Sequence, residues 1–316
     1  MKPIRFAAIG ECMLEVQANG FGPAVFSYGG DTFNTAVYLR RCSSPAEIDV
    51  SYATGLGTDQ LSQSLFKEWQ GLGLKLDEVE YIEGRLPGMY LIETDNHGER
   101  TFHFWRENSA ARAYFQAPQT ALEKHAANLD CLYFSGISLA ILDTPSRLRL
   151  FALLNRAKSN GCRVVFDNNF RPKLWPDRKL AQSVYLEAFA SCHTAMITLD
   201  DHQAVFECAS LDDALAHAQG LTIPEVVIKR GADPTLVRQE LSSEWLHIPT
   251  QEVEQVVDTT VAGDSFAAGY LSRRLCGNNA ENAATFGNAL AAKVIQYRGA
   301  LIPLEAMKDL IPSQTY

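Results

Sequence analysis

The chain has 316 residues, 47% of them hydrophobic and 21% charged, and a formal net charge of −9. That length suggests two domains, or one large α/β unit with an appendage, and it allows a sizeable core without disulfide or metal staples. The composition excludes disordered and fibrous classes, and an acidic chain with no Lys/Arg run longer than a pair, such as Arg40-Arg41 or Arg273-Arg274, excludes a dense phosphate-binding footprint, hence a nucleic-acid partner.

Taken in chain order, short apolar runs alternate with helical patterns. A strand is predicted over 4–9 and a helix over 33–41, with Asp31 or Thr32 as its cap. A strand over 49–53 precedes a helix over 60–72, which follows Thr58-Asp59. Strands over 131–134, 163–166, 195–198 and 226–229 continue the rhythm. Between them, a helix over 145–159 takes Thr144 as cap and Pro145 as its first residue, with Gly161 past its end. Ser210-Leu-Asp-Asp213 reads as a variant capping box for a helix reaching Gln219, and a last helical pattern covers 267–275. Strand alternating with helix implies a parallel sheet covered on both faces.

Two segments break that rhythm. Residues 11–28 are Gly-rich with strand-like pieces at 13–16 and 25–28. Residues 88–106 read as a hairpin around the turn Asp95-Asn96-His97-Gly98, in which Met89, Leu91, Phe102 and Phe104 alternate with other side chains. Together they predict a small β-sheet lid (11–28 and 88–106) over a cleft in the main unit (1–10, 29–87 and 107–316).

The seven cysteines never come closer than the sixteen positions between Cys192 and Cys208, which excludes a CxxC zinc site and argues against a disulfide framework. They read as reduced thiols of a cytoplasmic protein. No HxxxH pair, long signal-type apolar run or bilayer-length segment occurs, so a zinc hydrolase and a membrane partner lose support.

Four polar constellations punctuate the pattern. In Gly29-Gly30-Asp31-Thr32-Phe33-Asn34 the glycines allow close backbone approach, and Asp31 and Asn34 share a face of the first helical turn. Taken alone, this is also what a capped helix looks like. Asp258-Thr259-Thr260-Val261-Ala262-Gly263-Asp264 opens a helix, where successive N–H groups form an anion site. An acid there repels phosphate unless it takes part in the chemistry, and Asp264 fits a general base for a hydroxyl. Asp167-Asn168-Asn169-Phe170-Arg171 leaves the carboxyl end of a strand, where parallel sheets bind ligands. Lys229-Arg230-Gly231-Ala232 leaves another. No Walker loop and no complete GxGxxG is present.

In this order and spacing, Gly29-Gly30…Asn34 and Asp258-Thr-Thr-Val-Ala-Gly-Asp264 resemble the two signatures of the ribokinase-like (PfkB) family of sugar kinases, and the resemblance runs along essentially the whole chain. Ile9-Gly-Glu-Cys-Met13, Arg85-Leu-Pro-Gly-Met-Tyr90, Gly98-Glu-Arg-Thr-Phe102, Ser135-Gly-Ile-Ser-Leu-Ala-Ile-Leu142 and Gln296-Tyr-Arg-Gly-Ala300 are similar to the branch that acts on 2-keto-3-deoxy sugar acids. The resemblance implies a three-layer α/β/α sandwich with a β-sheet lid. It implies ATP-dependent phosphorylation of 2-dehydro-3-deoxy-D-gluconate to its 6-phosphate, in Entner–Doudoroff-type breakdown. Asp264 would be the base, and the backbone N–H groups of Val261, Ala262, Gly263 and Asp264 the anion hole. Gly29, Gly30, Asp31, Asn34, Tyr90, Phe104, Trp105, Arg106 and Arg171 would surround the sugar acid, with Arg106 and Arg171 for its carboxylate and Tyr90 and Trp105 as walls. Asn169, Arg171, Lys229, Gly231, Asn288 and the 261–263 segment would meet ATP, which brings Mg²⁺. Carbonyls near Asp258 and Thr260 could hold a monovalent cation, K⁺.

Two departures stand out. Val261 replaces a family glycine, which requires an ordinary φ there. Asp200-Asp201-His202-Gln203 stands where relatives carry Asn-x-x-Glu, so metal ligands are not assigned. Two other readings remain: a fructokinase of the same family, for which Arg106 would have no carboxylate to hold, and a non-catalytic nucleotide-binding regulator. Apolar alternation on an exposed flap also predicts a homo-oligomer built through the lid.

Overall fold

In the computed structural model, which describes residues 2–18, 22–94 and 100–311, the strand runs assemble in two separate sheets. The expected turn Asp95-Asn96-His97-Gly98, and the Gly98-Glu99 start of one motif, lie outside the described residues.

The large sheet contains β1 (Ile4–Ile9), β4 (Ile48–Leu56), β5 (Val79–Tyr81), β8 (Cys131–Ser135), β9 (Arg163–Asp167), β10 (Thr194–Thr198), β11 (Glu225–Arg230), β12 (Asp233–Arg238) and β13 (Leu246–Ile248). Its order is β13-β12-β11-β10-β9-β8-β1-β4-β5. The strands from β5 to β11 pair in parallel, while β12 and β13 close one edge antiparallel. The all-parallel expectation is corrected at that edge: Gly231 has a φ of 63°, and this left-handed residue turns β11 straight back into β12.

The helices are α1 (Asp31–Cys42), α2 (Gln60–Gly71), α3 (Ala121–His125), α4 (Gly136–Ala140), α5 (Thr144–Ser159), α6 (Arg178–Ser191), α7 (Leu199–Phe206), α8 (Leu211–Gln219), α9 (Ala262–Arg274) and α10 (Ala280–Val294). Side chains alternate across the buried strands and split the core in two. Ala7, Leu132, Phe134, Val164 and Phe166 pack with α3 to α8. Phe6, Ala8, Tyr133 and Val165 pack with α1, α2, α9 and α10 on the other face. This is a three-layer α/β/α arrangement, and such strands read as unbroken apolar runs because both faces are covered.

The small sheet is β3-β2-β6-β7: β2 (Met13–Ala18), β3 (Ala24–Gly29), β6 (Met89–Thr94) and β7 (Arg100–Trp105). Its register pairs Tyr90 with Phe104 and Met89 with Trp105. Period two therefore sets Met89 and Leu91 on one face and Phe102 and Phe104 on the other, where the sequence pattern had grouped them.

Helix starts differ from expectation for local reasons. α1 begins at Asp31 with Gly30 as its cap and no side-chain cap. A Cβ on Gly30 would stand 2.0 Å from the Glu11 carbonyl oxygen, so no capping side chain fits there. α5 is capped by Asp143, which accepts from Ser146 N at 2.9 Å, while the Thr144 hydroxyl accepts from Arg147. α9 starts at Ala262, one turn and more ahead of the predicted 267, so Asp264 lies in its first turn.

Candidate active site

The polar constellations meet at the carboxyl edge of the large sheet, where α1 and α9 begin. α9 is covered on its sheet-facing side by small and aromatic residues and sets its N-terminus against α1. Asn34 Nδ2 donates to Asp264 Oδ2 at 2.9 Å, joining the early and late motifs across 230 residues of chain. Thr35 Oγ1 donates to the Asp264 carbonyl at 3.3 Å, and Asn169 Nδ2 donates to Asp31 Oδ2 at 2.8 Å. Lys229 Nζ donates to Asp167 Oδ2 at 2.8 Å. The same ammonium lies 3.3 Å from where a Cβ of Gly263 would be, so Gly263 leaves Lys229 room at the helix start.

Asp31, Asp167 and Asp264 thus form one cluster of like charge, with Lys229 bonded to Asp167 beside it. Desolvation raises the Asp264 carboxyl to about 8, and the charges of Asp31 and Asp167 add to it against the Asn34 hydrogen bond and Lys229. Desolvation likewise raises Asp31. Both are half-buried by residue exposure.

The segment expected to supply the anion hole does open α9, with one difference in its donors. Val261 has an ordinary φ of −112°, as required. The Ala262 N–H, however, is spent on the Thr259 carbonyl at 3.1 Å. Among the described residues the N–H groups of Val261, Gly263 and Asp264 have no acceptor, as expected for a first helical turn.

The remaining sequence-predicted residues fall in three groups. Gly29 and Gly30 lie at the floor, where a Cβ on Gly29 would meet Ala300 at 2.9 Å. Tyr90 and Phe104 share one face of the small sheet, with ring centroids 5.7 Å apart. Trp105 is on the opposite face and 55% exposed, which corrects its pairing with Tyr90 as two walls of one pocket. Arg106 is buried and ion-paired with Glu11. Arg171 is half exposed, 3.5 Å from Asp201. Gly231 lies in the β11–β12 turn with open space around it. Asn288 is buried on α10: its oxygen accepts from Thr235 at 2.9 Å and its amide donates to the Pro249 carbonyl at 3.0 Å. Its polar groups therefore fasten α10 to the β12–β13 edge rather than stand free. Asp258 Oδ1 accepts from the Thr260 N–H at 3.1 Å and its hydroxyl at 2.6 Å, forming a turn one step before α9.

Several residues of the site carried no strong sequence signal. Glu15 accepts from Tyr90, Gln17 and Ser27 on the small sheet. Tyr133, buried on β8, donates to Asp167 at 3.2 Å and accepts from Thr35. Asp201, from the 200–203 segment, accepts from the Phe170 N–H at 3.2 Å. An isolated acid just past a buried strand, as Glu11 is, was the one available hint.

Such an edge, with free N–H groups, a lysine and a poised carboxylate converging, defines an α/β protein that transfers a charged group between two bound partners. The chain belongs to the pfkB family of carbohydrate kinases, whose family pattern matches residues 5–307. It is 46% identical to the 2-dehydro-3-deoxygluconokinase of Dickeya dadantii over 304 residues, 95% of this chain and 97% of that one. It is also 46% identical to the 2-dehydro-3-deoxygluconokinase of Escherichia coli over 307 residues, 96% of this chain and 98% of that one. Its fold is similar to the crystal structure of an Escherichia coli protein described as a ribokinase II, in complex with ATP and Mg²⁺, with a TM-score of 0.81, 19% identity and 98% of each chain covered.

Proposed function

We propose that the chain transfers the γ-phosphoryl group of ATP to the 6-hydroxyl of 2-dehydro-3-deoxy-D-gluconate, giving the 6-phosphate and ADP. The observation that carries this reading is the Asp264 carboxylate, held by Asn34 at the open start of α9, in a chain similar over nearly all its length to kinases of that sugar acid.

Asp264 accepts the proton of the 6-hydroxyl as its oxygen attacks phosphorus. A desolvated carboxylate flanked by like charge is a stronger base than one in water, which suits that step once it is deprotonated. The free N–H groups of Gly263 and Asp264, aided by the α9 dipole, stabilise the equatorial charge of the moving group. Lys229 reaches the phosphates by exchanging Asp167 for them. Asn169 holds Asp31 oriented toward the sugar hydroxyls. Arg106 and Arg171 receive the sugar carboxylate, and Tyr90 and Phe104 cover the ring side.

No cluster of three or more His, Cys, Asp or Glu side chains among the described residues could hold a metal. Mg²⁺ therefore fits as an ion carried by the nucleotide and water, with Asp31 and Asp167 as the nearby countercharge. When bound it offsets the phosphate charge. K⁺ near Asp258 and Thr260 belongs to the same proposal and is tested by exchanging K⁺ for a bulky ammonium in the assay.

The small sheet acts as a lid, and the face carrying Phe26 and Trp105 pairs with a second copy. Phe26 and Trp105 share that face and are 71% and 55% exposed. A reducing cytoplasm suits seven cysteines that are all free thiols. No helix among the described residues is long and apolar enough to cross a membrane.

ATP turnover over a panel of sugar acids and neutral hexoses tests the substrate. The 2-keto-3-deoxy acid should exceed fructose in kcat/KM by on the order of 10²-fold or more, since a carboxylate-binding Arg left unpaired disfavours the neutral sugar. Preferred turnover of fructose would overturn the assignment.

A further inference from the structure

Resting on that reading, we infer that Glu11 is the positioning residue for sugar-acid recognition: it pins Arg106 at the root of the lid, so that the guanidinium is held ready for the substrate carboxylate.

Three features place it there. Glu11 lies just beyond β1 and Gly10, at the point where the chain first leaves the large sheet. Its Oε2 accepts from Arg106 Nη2, and the two side chains are 1% and 8% exposed. Arg106 is the first residue after β7, so the pair bolts the returning end of the β6–β7 hairpin to the end of β1. The outgoing end reaches the same spot. A Cβ on Gly88, one residue before β6, would lie 2.6 Å from Glu11 Oε1 and 3.3 Å from Arg106 Cβ. Gly88 also accepts from Leu14 N at 2.8 Å. Both roots of the hairpin and the start of β2 therefore converge on one carboxylate.

The bonding leaves capacity on both sides. Glu11 Oε1 and Arg106 Nε are buried without a partner, and Arg106 Nη1 has none among the described residues. An arginine bonded through one nitrogen keeps the remaining fork for a second carboxylate, and the first anchor fixes the plane in which it is presented. Without Glu11 the long side chain regains its rotamers, and an uncompensated charge at the lid root turns toward solvent. The substrate acid would then meet a disordered partner, whereas ATP, bound at the α9 side, would not sense the change.

The test is a kinetic cycle on the full chain with Glu11→Ala, Glu11→Gln, Arg106→Ala and the Glu11→Ala/Arg106→Ala double variant. Glu11→Ala should raise KM for 2-dehydro-3-deoxy-D-gluconate by on the order of 10- to 100-fold, with KM for ATP unchanged and kcat lowered less than about threefold. Glu11→Gln keeps the side-chain volume and one acceptor oxygen, and should raise that KM several-fold less; it carries the test if Glu11→Ala does not fold. The double variant should be no worse than Arg106→Ala alone, because both remove one device. Additive losses, a parallel rise in KM for ATP, or an unchanged KM for the acid would overturn the inference. If Arg106→Ala raises the acid KM and Glu11→Ala does not, Glu11 alone is misassigned. If Arg106→Ala leaves it unchanged, the underlying reading of Arg106 fails as well.

Discussion

Asp264 carries a proton that folding favours. Its carboxyl is raised to about 8, against about 3.9 for an unfolded aspartate, by burial first and by Asp31 and Asp167 after it. The folded state therefore binds more protons between pH 4 and pH 8, and this residue lowers stability progressively as pH rises through that window. Asp264→Asn should raise the melting temperature by a few degrees at pH 8 and by less at pH 5, while kcat falls on the order of 10²- to 10⁴-fold. Thermal unfolding at the two pH values, beside turnover, checks both halves; a variant that loses stability at pH 8 would contradict the charge argument. Asp31 supplies the like charge, so Asp31→Asn should move the acidic limb of the kcat/KM profile to lower pH, whatever it costs in rate. Asp264, Asn34 and Lys229 could be picked from the sequence because each sits in a Gly- or strand-bounded motif. Glu15 and Tyr133 could not, since an acid or tyrosine in an apolar stretch gives no sign of its distant partner, and Glu11 showed only as an isolated acid past a strand, with no sign of Arg106.

At the scale of elements, the site depends on how α9 and α1 are seated. The far end of α9 is tied to the sheet by Glu225, which is fully buried on β11. It accepts from Tyr270 at 3.0 Å and Arg274 Nε at 3.0 Å, both on α9, and pairs with Arg163 of β9 at 3.3 Å. Glu225→Ala leaves two arginines without their common carboxylate and should destabilise the fold by about 3–5 kcal/mol in denaturant unfolding; a loss below ~1 kcal/mol would show the cluster to be dispensable. α1 depends instead on a close approach. The methyl of Gly30→Ala would press on the Glu11 carbonyl, pushing Asp31 and Asn34 away from Asp264. Overpacking of this sort should cost about 1–3 kcal/mol and lower kcat/KM with it, and a fully active Gly30→Ala would show that the helix start tolerates a shift. The strands and most helices were legible because period and punctuation are local. The cap of α1 was not, because a carbonyl distant in the sequence decides it.

For the whole molecule, the proposed roles of the small sheet in specificity and in assembly belong to its two faces. Its two faces are chemically distinct: Glu15, Tyr90 and Phe104 occupy one, Phe26 and Trp105 the other. If the latter face joins two copies, light scattering should give about twice the chain mass at assay concentration, and Phe26→Ser should shift it toward one chain; a clean monomer for the parent protein would remove the lid-to-lid contact. The chain's own pattern was enough to establish an α/β class, a hairpin apart from the main rhythm and the motifs of a sugar kinase, because propensity, period and helix-start chemistry act over a few residues. Only the tertiary structure decided which face of the hairpin Trp105 takes, that the sheet turns antiparallel at one edge, that Ala262 gives up its N–H, and that Arg106 is held by Glu11. Each of these follows from contacts between segments far apart in the chain, and their free energy exists only once the layers have packed.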